Sequence, residues 1–225
     1  MKYCVLEVHP ILAVLALAAS FLCLDVDAEI TSGKSEKGQS YNFLPIAQVF
    51  STKEKLWLYW QNYTDDVDLS TEFPDMKVPP LDLTQKCTFI EMDNISENDI
   101  NYWWKTIMDS QMVAIHYYGQ FLREDGDELG YMNVRDISGN ETNPSFRMTL
   151  KHRRANCSVF FVTSIGENGE TGCELYVRDK AISRNPPKEC TAYYRTHCVN
   201  KTVVYEASCK RRVEKAQRKL DNIMT

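Results

Sequence analysis

Histidine is scarce in this 225-residue chain, which has four. His9 lies in an apolar N-terminal stretch, leaving His116, His152 and His197 for any chemistry. None of these falls in an H-E-x-x-H pattern, and no two cysteines have C-x-x-C spacing; the common sequence signs of a zinc centre are therefore missing. A G-x-S-x-G elbow, a P-loop and a G-x-G-x-x-G fingerprint are missing too, so no cofactor and no enzymatic activity are expected. A triad gathered from distant residues is the catalytic arrangement these absences leave open. There is no basic excess: 26 Lys and Arg face 31 Asp and Glu, for a formal charge of −5. Such a chain is not expected to hold nucleic acid, which needs a strongly basic face. Long apolar runs are missing beyond the first one, Ile11 to Leu24, so no membrane span is expected.

That first run has the anatomy of a secretory signal. Lys2 precedes it, and Val26-Asp27-Ala28 follows with a small residue at the expected cleavage point. Residues 1–28 are accordingly read as a signal peptide and the protein as secreted. Cys4 and Cys23 leave with it, and Cys87, Cys157, Cys173, Cys190, Cys198 and Cys209 remain. An even number of cysteines in an exported chain reads as a disulfide framework. Five N-x-S/T sequons, at Asn62, Asn94, Asn140, Asn156 and Asn200, point to the same compartment as candidate glycosylation sites. The remaining length suits one domain with a sizeable core.

Residues 29–43 are mostly polar and read as an N-terminal arm, followed by a short helical spacing at Leu44, Ala47 and Phe50. Eight aromatic or β-branched stretches then read as strands: Leu56–Trp60, Cys87–Asp93, Tyr102–Met108, Met112–Phe121, Leu129–Val134, Phe146–Leu150, Ser158–Ser164 and Cys173–Arg178. Asp109-Ser110-Gln111, Asp125-Gly126, Ser138-Gly139-Asn140 and Asn168-Gly169 supply short connections, the glycine pairs with residues that tolerate positive φ. Strands joined this way form an antiparallel meander, which either closes as an eight-stranded barrel with room for one small ligand or packs as a sandwich. Pro186-Pro187 opens a helix over Lys188–Cys198. Residues 210–225 read as a basic helical tail: Val213, Ala216, Leu220 and Ile223 make one apolar stripe, with Lys210, Arg211, Arg212, Lys215, Arg218 and Lys219 elsewhere. His116, among apolar residues of a strand, reads as part of the wall and not as a base.

One constellation is more specific. Asn156-Cys157-Ser-Val-Phe-Phe-Val leads through a loop to Cys173-Glu-Leu-Tyr-Val, then to Pro186-Pro-Lys-Glu-Cys190 and Thr196-His-Cys198. With Lys86-Cys87-Thr-Phe-Ile, Met112-Val-Ala-Ile-His-Tyr-Tyr-Gly119 and Glu206-Ala-Ser-Cys209, it resembles the tick salivary lipocalins of the histamine-binding protein family from about residue 44 to 209. The resemblance implies a mainly β fold, an eight-stranded antiparallel lipocalin barrel over 44–209 with short flanking helices. It implies pairing as Cys87–Cys209 and Cys157–Cys190, leaving Cys173–Cys198 as a third bridge.

The family's amine fingerprint pairs C-D-[VIL] with E-L-[WY]; here these read Cys157-Ser158-Val159 and Glu174-Leu175-Tyr176. The resemblance thus implies a ligand site at Tyr63, Asp66, Phe146, Glu174 and Tyr176, with two acids lost, at Ser158 and at Ser110. Tyr118, Tyr131 and Trp57 stand equally as core or as ligand contacts. The implied function is a monomeric binding protein that sequesters a small host mediator, histamine or another biogenic amine. Eicosanoids or fatty acids are the alternative ligands, and a host immune protein the alternative partner.

Overall fold

The computed structural model describes residues 43–63, 85–139, 142–165, 169–182 and 186–224. Eight strands follow one another in antiparallel order: β1 (Leu56–Gln61), β2 (Lys86–Ile95), β3 (Asp99–Met108), β4 (Gln111–Leu122), β5 (Tyr131–Asp136), β6 (Phe146–Arg154), β7 (Cys157–Ser164) and β8 (Thr171–Arg178). β1 pairs with β8 along its length and with β2 through Leu56↔Ile90 and Trp57↔Phe89, so the sheet closes into a barrel. Closure removes the free edges that an open meander would expose.

Turn chemistry sets the register. Asp109 (φ 44°) and Ser110 (φ 62°) make a two-residue hairpin turn between β3 and β4, the left-handed pair that matches strand twist. Gln111, expected in that connection, instead begins β4 opposite Met108. Leu129, expected in a strand, lies just ahead of β5. Gly126 and Gly169 adopt positive φ at two of the expected turns. The short strand β9 (Thr202–Val203) was not expected; it pairs with Trp60 and Gln61 of β1. There the Cys87 N–H donates to the Val204 carbonyl and Lys86 Nζ to that of Val203, so β9 fills the seam where β2 leaves β1.

The barrel interior holds one core. Helix α1 (Pro45–Phe50) is too short to persist alone, and it is held by burial of Ile46, Ala47, Val49 and Phe50 in one end of the barrel. Phe50 meets the rings of Tyr102, Phe121 and Phe160 at 6.1, 6.5 and 5.7 Å. A second core lies outside the barrel, where Trp57, Phe89, Val159, Leu175 and Val177 pack under α2 (Lys188–His197) and α3 (Cys209–Met224). Strands covered on both faces read as nearly continuous apolar runs, which is why Leu56-Trp-Leu-Tyr-Trp60 and Ser158-Val-Phe-Phe-Val162 barely alternate. Pro187 is the N-cap of α2, and α3 starts at Cys209.

Three disulfides pin the helices: Cys87–Cys209, Cys157–Cys190 and Cys173–Cys198, with Cα atoms 5.0, 6.4 and 5.9 Å apart. These are the pairs the resemblance implied. Asp179 adds a polar tie, accepting from Trp57 Nε1 at 2.7 Å and pairing with Lys210 Nζ at 3.0 Å. Burial alone would raise its carboxyl; the Trp57 and Lys210 bonds and the Lys210 charge outweigh that and hold it below its ordinary value.

Two outcomes test this framework. In urea unfolding, the C87A/C209A double variant should lose about 5 kcal/mol and C173A/C198A about 3.5, because the first bridge closes the longer loop (separation 122 against 25) in the chain-entropy model. Equal losses would mean that native contacts, not loop closure, set the effect. For Asp179, a lowered folded pKa means stability that is full above the unfolded value and lost as pH falls through the folded one. Asp179→Asn should therefore be less stable than wild type at pH 7, and the gap should narrow as pH falls below the ordinary carboxylate value of ~3.9. A gap that does not change with pH would refute the carboxylate's role.

Candidate functional site

Beyond the α1 plug, on the far side of the Tyr102 ring, a cavity of about 510 Å³ opens towards the β3–β4 hairpin. That volume lies in the range of small-molecule sites. Leu58, Ile90, Met108, Val113, Ile115, Met148 and Val162 give it an aliphatic lining, and Tyr63, Tyr102, Trp104, Tyr117, Phe146 and Tyr176 an aromatic one. Phe146 meets Tyr117 edge-on at 5.5 Å. Exposed Glu170 and Thr171 also line it, where β8 begins.

Glu174 reaches the cavity because side chains alternate along β8. Cys173, Leu175 and Val177 face the outer core, so Glu174 and Tyr176 face inward. Glu174 is 6% exposed, paired across the sheet with Gln61 of β1 and Phe160 of β7. The Tyr63 hydroxyl donates to Glu174 Oε1. Tyr102 and Tyr176 are fully buried; burial first, and the Glu174 charge with it, push both phenols well above their ordinary value. They stay protonated, and so able to donate, throughout the physiological range.

The end of β1 is clamped to place Tyr63. The Asn62 N–H donates to the Cys173 carbonyl at 3.2 Å, and Asn62 Oδ1 accepts from the Cys173 N–H at 2.6 Å. Gln61 Nε2 donates to the Tyr63 carbonyl at 2.9 Å, and its buried Oε1 accepts no hydrogen bond among the described residues. The Cδ1–Cε1 edge of the Tyr63 ring packs against Gly172, where an added Cβ would clash with those two ring carbons. The glycine is thus a space requirement of the tyrosine.

Of the five expected site residues, the structure brings Tyr63, Phe146, Glu174 and Tyr176 to one cavity. Asp66 lies outside the described residues. Ser158 faces inward opposite Tyr176, buried below the cavity and not on its wall. Asp109 and Ser110 sit exposed at the hairpin tip. Trp57 belongs to the outer core, and Tyr118 and Tyr131 lie under the guanidinium groups of Arg135 and Arg147, away from the cavity. His116 stacks on Trp103 at 4.2 Å. Tyr102, Trp104 and Tyr117 were missed as site residues; two-residue spacing of Tyr102 and Trp104 was the available signal. Gln61 carried no signal.

The Gly172 contact predicts that Gly172→Ala displaces Tyr63 and breaks its bond to Glu174, while in a Tyr63→Ala background the same change is neutral. Thermal unfolding of the four proteins of this double-mutant cycle reads the coupling, expected at about 1–3 kcal/mol. Additive losses would separate Gly172 from Tyr63.

Over residues 24–211 the chain matches the family model described as tick histamine binding protein. No curated protein sequence matches it. Among solved structures, it is similar to Japanin from Rhipicephalus appendiculatus bound to cholesterol, at 12% identity, covering 68% of this chain and 93% of that one, with a TM-score of 0.44. It is also similar to the siderocalin Ex-FABP, described as functioning through dual ligand specificities, at 12% identity, 64% and 82% coverage and a TM-score of 0.41. With most of its length matched and a closed eight-stranded antiparallel barrel, the chain belongs to the tick histamine-binding protein family of lipocalins.

Proposed function

We propose that this lipocalin is secreted and sequesters a small cationic host mediator, histamine or another biogenic amine, in the barrel cavity. The observation that carries the reading is the Glu174 carboxylate, buried on a cavity wall that also carries six aromatic side chains. An ammonium group taken from water loses its hydration, and only a charge partner with good hydrogen bonds offsets that loss. Glu174 supplies the charge, and the faces of Trp104, Tyr117 and Phe146 supply cation–π attraction, strongest at tryptophan. Tyr63 holds the carboxylate in place and completes the polar end of the site.

A second reading has a specific observation behind it. The seven aliphatic residues of the wall suit the hydrocarbon of an eicosanoid or fatty acid. The carboxylate head of such a ligand would be repelled by Glu174 in a poorly screened interior, so it would have to stay near the rim. The amine reading has no such conflict. In a secreted protein the sequons matter as well: Asn94, Asn156 and Asn200 are exposed, and Asn62 is half-buried with Oδ1 engaged.

Calorimetry with histamine, serotonin and a fatty acid on wild type and Glu174→Gln separates the readings. Glutamine keeps the size and removes the charge; amine binding should weaken by about 3–5 kcal/mol, because the cation is then desolvated without its partner. Fatty-acid binding should not weaken. Lipid uptake by both proteins with no amine uptake at micromolar concentration would overturn the amine reading. If neither class binds, a host protein becomes the leading partner.

A further inference from the structure

We propose that the solvent face of α3 is a binding site for a sulfated polysaccharide, held by Arg211, Lys215 and Arg218 with Arg212 and Lys219 beside them. The chain as a whole is acidic, at −5, yet the ten residues Lys210 to Lys219 hold six basic side chains and one acidic, Glu214. The helix sorts these charges by side. Arg211, Lys215 and Arg218 recur at i, i+4 and i+7, so they lie along one face, and Arg212 and Lys219 flank them on one edge. Glu214 and Asp221 fall on the other edge, together with Lys210 and Gln217.

The two edges differ in how they are satisfied. On the acidic edge, Lys210 pairs with Asp179 at 3.0 Å and Gln217 Nε2 donates to Asp221 Oδ1 at 2.9 Å. None of the five cations on the other side forms an ion pair among the described residues. Arg211, Lys215, Arg218 and Lys219 are exposed. The result is an unneutralised cationic stripe about 12 Å long, anchored at its start by the Cys87–Cys209 bridge. Three of its five cations are arginines, whose planar forks match the oxygens of sulfate and carboxylate groups.

The packing of α3 favours a soluble polyanion over a bilayer. A helix that binds a membrane surface buries an apolar face among the lipids. Here Val213 and Ala216 are each 6% exposed, already committed to the outer core of the barrel. Exposed Leu220 lies on the opposite side of the helix from the stripe, so the cationic face itself carries charge without an apolar wedge, which suits a flexible chain of sulfates lying along it. The site is separate from the cavity, so it stands or falls independently of the ligand taken there.

Heparin-affinity chromatography of the full-length secreted protein tests it, with a sulfopropyl resin to measure charge alone and phosphatidylserine vesicles to measure anionic membrane. Wild type should be retained on heparin at ~0.15 M salt and need more salt to elute than from the sulfopropyl resin. The R211E/K215E/R218E variant should flow through, while its three disulfides and its cavity binding in calorimetry are unchanged from wild type. Flow-through of the wild type, equal elution from both resins, unaltered retention of the variant, or binding to the vesicles without binding to heparin would each overturn the proposal.

Discussion

The site depends on the two-residue alternation of β8, made rigid from outside. Cys173 is bridged to Cys198 beyond α2, and Leu175 and Val177 are buried in the outer core. With those three side chains committed outward, Glu174 and Tyr176 have only the barrel interior to enter. A slip of one residue would place a cysteine in the cavity and a carboxylate beneath the helix, and the bridge forbids it. Cys157–Cys190 does the same for β7, keeping Phe160 and Val162 inward.

Placing Glu174 inside costs free energy, and the neighbouring groups show how the fold carries it. A buried carboxylate is tolerated when hydrogen-bond donors surround it. Tyr63 donates from the end of β1, and Tyr63 is itself held by Asn62 on the Cys173 backbone and by the missing side chain of Gly172. A polar group, its donor, the clamp and the space are all drawn from residues 61–63 and 172–174, where β1 and β8 pair. The stretch of cavity wall from Trp104 to Val162 offers shape and apolar surface. In the amine reading, the ligand brings a positive charge to an interior already organised around a negative one.

Much of this was legible in the amino-acid sequence, for reasons that differ by element. The strands showed because aromatic and β-branched runs bounded by turn residues have few other readings. The disulfide partners did not follow from spacing, since six cysteines allow fifteen pairings; family resemblance supplied them, and the structure has the same three. β9 was invisible, because two residues, Thr202 and Val203, carry no periodicity and pair only because the seam between β1 and β2 needs filling. Gln61 and Gly172 were invisible as site residues, because their roles exist only once β1 and β8 are side by side. Conversely, Ser158 marks a change in the fingerprint that the structure places below the cavity wall, next to Tyr176, so its effect on the site passes through that tyrosine.

A crystal structure of the protein grown with a saturating primary aromatic amine addresses the central claim most directly. The account predicts the ammonium nitrogen within ~2.7–3.0 Å of a Glu174 carboxylate oxygen, with the ligand ring against Trp104, Tyr117 or Phe146. An amine bound with its nitrogen turned away from Glu174, or a cavity filled by a hydrocarbon chain with the amine absent, would contradict it.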